Sequence, residues 1–274
     1  MAPPLRAVIL DNDETTGSYI LLLSVMRALN KIGDVDYLLF THILENLAIW
    51  MISKRVFRPG LIEFLTVLMN LKKEKKIDAI IMYTNQLETD KKLNYSLPRC
   101  ISYMFSYLVP GFTFDHILTR PDDPTVLNNI FPKQFKRVLD LYPKRPLNIR
   151  RMLFFDDLAI PTYVRTDGID PKYVSKKSYV LIDPYRVNLS SEDITECVKF
   201  CLEGIVDIDP FIILVNKCYS ESSYKNSIPS IDLLNFSYFV DLLKIRYDSD
   251  GNKNRNRTPS RKPTDIEENK GTGN

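Results

Sequence analysis

Three short runs of this chain hold the residue types that could do chemistry together. They are Asp11-Asn12-Asp13-Glu14-Thr15-Thr16-Gly17, Thr84-Asn85-Gln86 and Asp156-Asp157. Each run directly follows a stretch of large apolar residues. Brought to one place, Asp11, Asp13, Asp156 and Asp157 would repel and raise one another's pKa values unless a cation sat among them. A hard divalent ion with oxygen ligands, Mg²⁺ foremost, resolves that conflict. A carboxylate held beside such an ion can attack phosphorus, and a second one two residues on can protonate the leaving oxygen and then activate water. The charge of a transferring phosphoryl group calls in addition for a hydroxyl, which Thr84 supplies, and for a lysine.

The apolar runs before these residues supply the scaffold. Arg6–Leu10, Ala79–Tyr83, Phe114–Leu118, Met152–Phe155 and Tyr179–Ile182 read as buried parallel strands. Amphipathic stretches between them read as helices near Ser18–Ile32, Leu38–Ser53, Leu61–Lys75, Lys92–Leu108, Lys133–Leu141 and Ser191–Leu202. The alternation predicts an α/β fold, a parallel sheet with helices on both faces, and ligands bind such sheets at the carboxyl ends of the strands. A helical pair near Asp209–Cys218 and Ile231–Arg246 is expected to pack on this body. From Tyr247 the composition turns polar, with Ile266 the one large aliphatic residue, and predicts a disordered tail. Within it Lys253, Arg255, Arg257, Arg261 and Lys262 form a basic run without an acid. The commoner meaning of such a run is a solvated tail, the sharper one a contact with a polyanion or protein partner.

Composition removes other chemistries. Among 274 residues there are 2 His and 9 Gly. His42 and His116 cannot form an HExxH site, and neither GxGxxG nor GxxxxGK[ST] occurs. The formal charge of +3 is too small to indicate a nucleic-acid binder. Cys100, Cys197, Cys201 and Cys218 lack CxxC spacing and read as buried free thiols of an intracellular, reducing compartment. No apolar run is long enough to span a bilayer, so no membrane contact is expected.

An apolar strand ending in DxDxT, a second ending in Thr and a third ending in DD resembles the haloacid-dehalogenase-like (HAD) phosphatase superfamily, over about Arg6 to Leu202. Leu10-Asp11-Asn12-Asp13-Glu14-Thr15 is similar to the DLDET signature of the branch acting on the RNA polymerase II C-terminal domain, also called NLI-interacting-factor-like. Arg58-Pro59-Gly60-Leu61-Ile62-Glu63-Phe64-Leu65 is similar to that branch's RPG-x-x-EFL segment, where Arg58-Pro59-Gly60 reads as a helix start. The branch's DNSP is here Asp156-Asp157-Leu158-Ala159.

The resemblance implies a HAD-like (Rossmannoid) sheet with a helical insert after the first strand. It implies an Mg²⁺-dependent phosphatase working through an aspartyl-phosphate on a phosphorylated protein or a small phosphomonoester. Asp11 would be nucleophile and metal ligand, and Asp13 general acid/base and metal ligand through its carbonyl. Asp156 and Asp157 would complete the metal shell, and Thr84 and Asn85 would face the phosphoryl group. The phosphate-binding lysine belongs near a helix start before the last acidic motif. Lys133 is preferred there, Lys136 lies one turn on, and Lys144 ranks third. Residues 1–206 would form the phosphatase domain, with 18–56 a candidate helical cap, 207–246 a helical extension and 247–274 the tail. Two other readings stand beside this one: a nucleotide, polynucleotide-end or metabolite phosphatase, and a catalytically silent HAD-like binding module.

Overall fold

The computed structural model describes residues 3–33, 35–87, 96–120, 133, 135–144, 152–157, 178–222 and 236–253. In chain order the elements are β1 (Ala7–Leu10), α1 (Ile20–Ile32), α2 (Tyr37–Ser53), α3 (Leu61–Lys73), β2 (Ala79–Leu87), α4 (Leu97–Leu108), β3 (His116–Arg120), α5 (Phe135–Asp140), β4 (Leu153–Asp156), β5 (Tyr179–Leu181), α6 (Ser191–Leu202), α7 (Ile208–Ser222) and α8 (Phe236–Lys253). The five strands form one sheet in the order β3-β2-β1-β4-β5. Every pairing is parallel, with Leu10 level with Met82 on one side and with Phe155 on the other.

Alternation along the strands divides the core, because successive side chains point to opposite faces. Val8, Leu10, Ile80, Met82, Leu153 and Phe155 enter a large cluster shared with α1, α2, α3, α4, α6, α7 and α8. Ala7, Ile9, Ala79, Ile81, Tyr83 and Phe154 enter a smaller one on the other face, which Val138 of α5 helps to close. The predicted two-sided α/β sheet is therefore present, with the described helices divided unequally between its faces.

The helices begin where local chemistry dictates. Asp36 caps α2 by accepting the backbone N–H groups of Leu38 and Leu39. Ser190 and Asp193 form a reciprocal capping box on α6. Gly60, at φ 80°, is the N-cap of α3, a left-handed conformation that favours glycine.

Several boundaries differ from those read in the sequence. β2 runs on through Thr84, Asn85 and Gln86 to Leu87, which lies opposite Arg120 of β3 beyond a register shift. Pairing with a neighbouring strand keeps these polar residues extended. β3 itself starts at His116, and α5 starts at Phe135, which leaves Lys133 ahead of the helix. α8 continues past Tyr247 to Lys253, so the predicted tail boundary at 247 gives way to helix there. The rest of the tail, with Arg255, Arg257, Arg261 and Lys262, lies outside the described residues, as do 92–95 and 231–235 of two predicted helices.

The 18–56 insert is built into the body. α1 and α2 place Leu22, Val25, Met26, Leu29, Phe40, Ile43, Leu47 and Trp50 in the same cluster as the sheet. At about 1.5–3 kcal/mol for each large apolar side chain buried, such packing is worth on the order of 10 kcal/mol. A freely hinged lid would have to give that up. All four cysteines are buried free thiols. Among the described residues no helix is long and apolar enough to cross a membrane.

Candidate active site

Because β1 and β4 pair in parallel with Leu10 level with Phe155, their next residues, Asp11 and Asp156, emerge side by side at the carboxyl edge. The Asp11 N–H donates to the Phe155 carbonyl at 2.9 Å, which ties the two strand ends together. Asp157 is one residue further on. One carboxylate oxygen from each of Asp11, Asp156 and Asp157 lies within 4.8 Å of the others. Asp11 and Asp156 are buried and Asp157 is half-buried.

Lys133 closes this cluster. Its Nζ lies 2.5 Å from Asp11 Oδ1 and 2.6 Å from Asp156 Oδ2, with the side chain 1 % exposed. The helix behind it is anchored to the sheet. Arg137 of α5 donates to the Thr119 carbonyl at 2.6 Å and stacks over the Tyr83 ring at 5.6 Å. The lysine thus arrives from just before α5 rather than from its first turn. Lys136 lies within α5, but its side chain is outside the described residues, and Lys144 is exposed beyond the helix.

Thr15 joins the carboxylates from the β1 loop, its hydroxyl lying 3.4 Å from both Asp11 Oδ2 and Asp157 Oδ1. Asp13 lies two residues beyond Asp11 on the same loop, and Thr84 and Asn85 lie on β2, the strand paired with β1. Thr84 is buried, and its hydroxyl accepts the Gln86 N–H at 3.2 Å. Asn85 follows it on β2, half-buried.

Burial is the largest influence on Asp11, and together with the charges of Asp156 and Asp157 it raises the pKa well above the ordinary value against the pull of Lys133. Asp157 is pushed up to about 6, again by burial first and then by Asp156. Burial acts against the Lys133 ammonium, yet Asp11 and Asp156 outweigh it and hold the lysine above its usual range. Fully ionised, these three carboxylates and Lys133 leave two negative charges among the described residues of a largely dry site. The donor set is all oxygen, and one divalent cation would balance it, so the cluster can hold a metal ion.

The loop that carries Asp11 and Asp13 is held by contacts that residue type and spacing do not show. Glu14 sits at φ 58°, a left-handed conformation that costs a non-glycine residue about 1 kcal/mol or more. Its carbonyl accepts the Tyr185 N–H at 2.7 Å, and its carboxylate pairs with Arg186 at 2.9 Å. Thr16 bonds through its hydroxyl to the Asn12 carbonyl at 2.9 Å and to the Tyr19 hydroxyl at 2.7 Å. A Cβ on Gly17 would come 3.1 Å from the Val56 carbonyl oxygen and 3.2 Å from Phe57 Cα, so the loop passes where glycine alone fits without adjustment. Arg58, read from sequence as part of a helix start, points its buried guanidinium back into this loop. The one available signal was its place in the RPG-like segment, and nothing in the spacing shows where that side chain turns.

Comparison with known proteins returned no matching family model and no matching curated protein.

Proposed function

We propose that this protein is a metal-dependent phosphatase that hydrolyses phosphomonoesters through an aspartyl-phosphate on Asp11. The observation that carries the reading is the buried constellation of Asp11, Asp156, Asp157 and Lys133 at the carboxyl edge of a parallel sheet. The resemblance of the DxDxT segment to the HAD superfamily, stated from the sequence, points the same way.

In this reading the carboxylates of Asp11, Asp156 and Asp157, with the Asp13 carbonyl, would hold Mg²⁺, which when bound would offset the charge of the phosphoryl oxygens. An Asp11 oxygen attacks phosphorus, and the bond from phosphorus to the ester oxygen breaks. Asp13 gives its proton to the leaving oxygen. Water then attacks the acyl phosphate, Asp13 takes the proton, and inorganic phosphate departs. Lys133 keeps the Asp11 carboxylate in line and pairs with the phosphoryl oxygens, while the Thr84 hydroxyl donates to one of them. Among substrates, phosphoserine or phosphothreonine in a protein is favoured. In the superfamily a large lid selects small substrates, and here the insert after β1 packs into the body's own core.

The test is hydrolysis of a generic aryl phosphate with Mg²⁺, with chelator, and in Asp11→Asn. Turnover that needs the metal and is lost in the variant supports the proposal. Wild type as inactive as the variant on aryl phosphate, phosphopeptide and nucleotide, with no binding of beryllofluoride, refutes it.

A further inference from the structure

Arg58 is among the largest fully buried side chains of the protein, 1 % exposed. Its Nε donates to the Thr15 carbonyl at 2.8 Å. One terminal nitrogen donates to the Glu14 carbonyl at 2.9 Å and to the Asp183 carbonyl, beyond β5, at 2.5 Å. The backbone N–H of Arg58 adds a bond to the Thr16 carbonyl at 3.0 Å. One residue therefore ties down three consecutive carbonyls of the loop that carries Asp11 and Asp13, and links that loop to the segment after β5.

Arg58 is itself held by aromatic rings. Tyr185 and Phe236 lie 5.0 and 5.9 Å from its Cζ, at cation–π range. Phe236 opens α8, and its N–H donates to the Pro59 carbonyl at 2.9 Å. Its ring packs on Phe64 of α3 at 4.5 Å. A planar fork of donors meets carbonyls in several directions at once, which a lysine's compact ammonium cannot reproduce.

We propose that Arg58 is a positioning residue for the nucleophile loop and that α8, through Phe236, holds Arg58 in place. The C-terminal helix is then part of the apparatus that aims Asp11 and Asp13. The kinetic half of the test rests on the phosphatase reading above, and the exchange half does not.

In the full chain, Arg58→Lys keeps the charge and most of the volume, and Phe236→Leu perturbs the support from a distance. Amide exchange at residues 12–17 is expected to quicken by about tenfold or more in Arg58→Lys, and less in Phe236→Leu, while β1 stays protected. Turnover of an aryl phosphate by folded Arg58→Lys should fall about a hundredfold through kcat with KM little changed, the scale set by a misplacement of about 1 Å. Phe236→Leu should lose several-fold in the same direction. Exchange at residues 12–17 as slow as in wild type in both variants would overturn the proposal. So would faster exchange with kcat intact, which would make Arg58 purely structural. If wild type shows no turnover, the phosphatase reading fails and the exchange result alone decides the role of Arg58.

Discussion

Replacing Lys133 by Met removes an ammonium that contacts two buried carboxylates, and the consequence can be worked from the geometry. At an effective dielectric constant near 20, contacts of 2.5 and 2.6 Å each represent about 6 kcal/mol of gross attraction. Much of that offsets the cost of taking the ammonium out of water. Breaking such a buried pair by deleting one partner typically costs about 3–5 kcal/mol, because the remaining charge is left uncompensated. The loss should depend on pH. Asp11 and Asp157 are already raised above their ordinary values, and without Lys133 the carboxylate cluster rises further. The native variant then binds more protons than its unfolded chain over a wider range, so its stability falls as pH increases. Urea unfolding of Lys133→Met and wild type, free of metal, should differ by about 3–5 kcal/mol near neutral pH and by much less near pH ~4. Millimolar Mg²⁺ should recover part of the neutral-pH loss, since a ligand that binds only the folded state adds stability. Equal unfolding curves at both pH values, with and without metal, would refute the account of the cluster as an excess of buried negative charge.

Other expectations follow from single contacts. For metal-free wild type, an Asp157 carboxyl raised from 3.8 to about 6 predicts stability that is full below its unfolded pKa and declines as pH rises toward about 6, by about 3 kcal/mol at 1.36 kcal/mol per unit. Thermal melts across that range should show the decline, and Asp157→Asn should lessen it, with Asp11 supplying what remains. Gly17→Ala forces the loop away from Val56 and Phe57 and should cost about 1–3 kcal/mol, read by denaturant unfolding, with a parallel drop in turnover. Thr84→Val keeps volume at a buried site but removes the acceptor of the Gln86 N–H, so it should lose about 1–3 kcal/mol of stability and bind metal as wild type does, yet turn over about 10²-fold more slowly, the usual effect of losing one donor to a developing charge. Unchanged steady-state kinetics in that variant would remove Thr84 from the mechanism.

The strands were legible because buried parallel strands leave continuous apolar runs, and the carboxylates at their ends follow from register. Asp11 and Asp156 stand together because Leu10 and Phe155 do. Lys133 was legible as a candidate but not as the residue seated between Asp11 and Asp156, since its approach depends on how Arg137 and Val138 fix α5 to the sheet. Thr84 reads as following a strand because Thr-Asn-Gln carries no apolar signal. Pairing with β3, a partner distant in sequence, keeps that stretch extended. Arg58 is the least legible of these residues. An arginine next to Pro and Gly looks like helix punctuation, and only the three-dimensional course of the β1 loop shows three carbonyls converging on it. The extension of α8 to Lys253 lay equally outside composition, because polar residues join a helix once its first turns are packed.

The strand order also bears on how the chain acquires this fold. β1 is synthesised first yet lies in the middle of the sheet. One of its edges can pair once β2 exists, but the other waits for Leu153–Asp156, in the second half of the sequence. Until then Ala7–Leu10, apolar throughout, has an open edge of the kind that recruits foreign strands. Packing of α1 and α2 covers one face of that strand but leaves its hydrogen-bonding edge open until β4 arrives. Any product truncated before β4 would combine an unpaired edge on β1 with a missing Asp156.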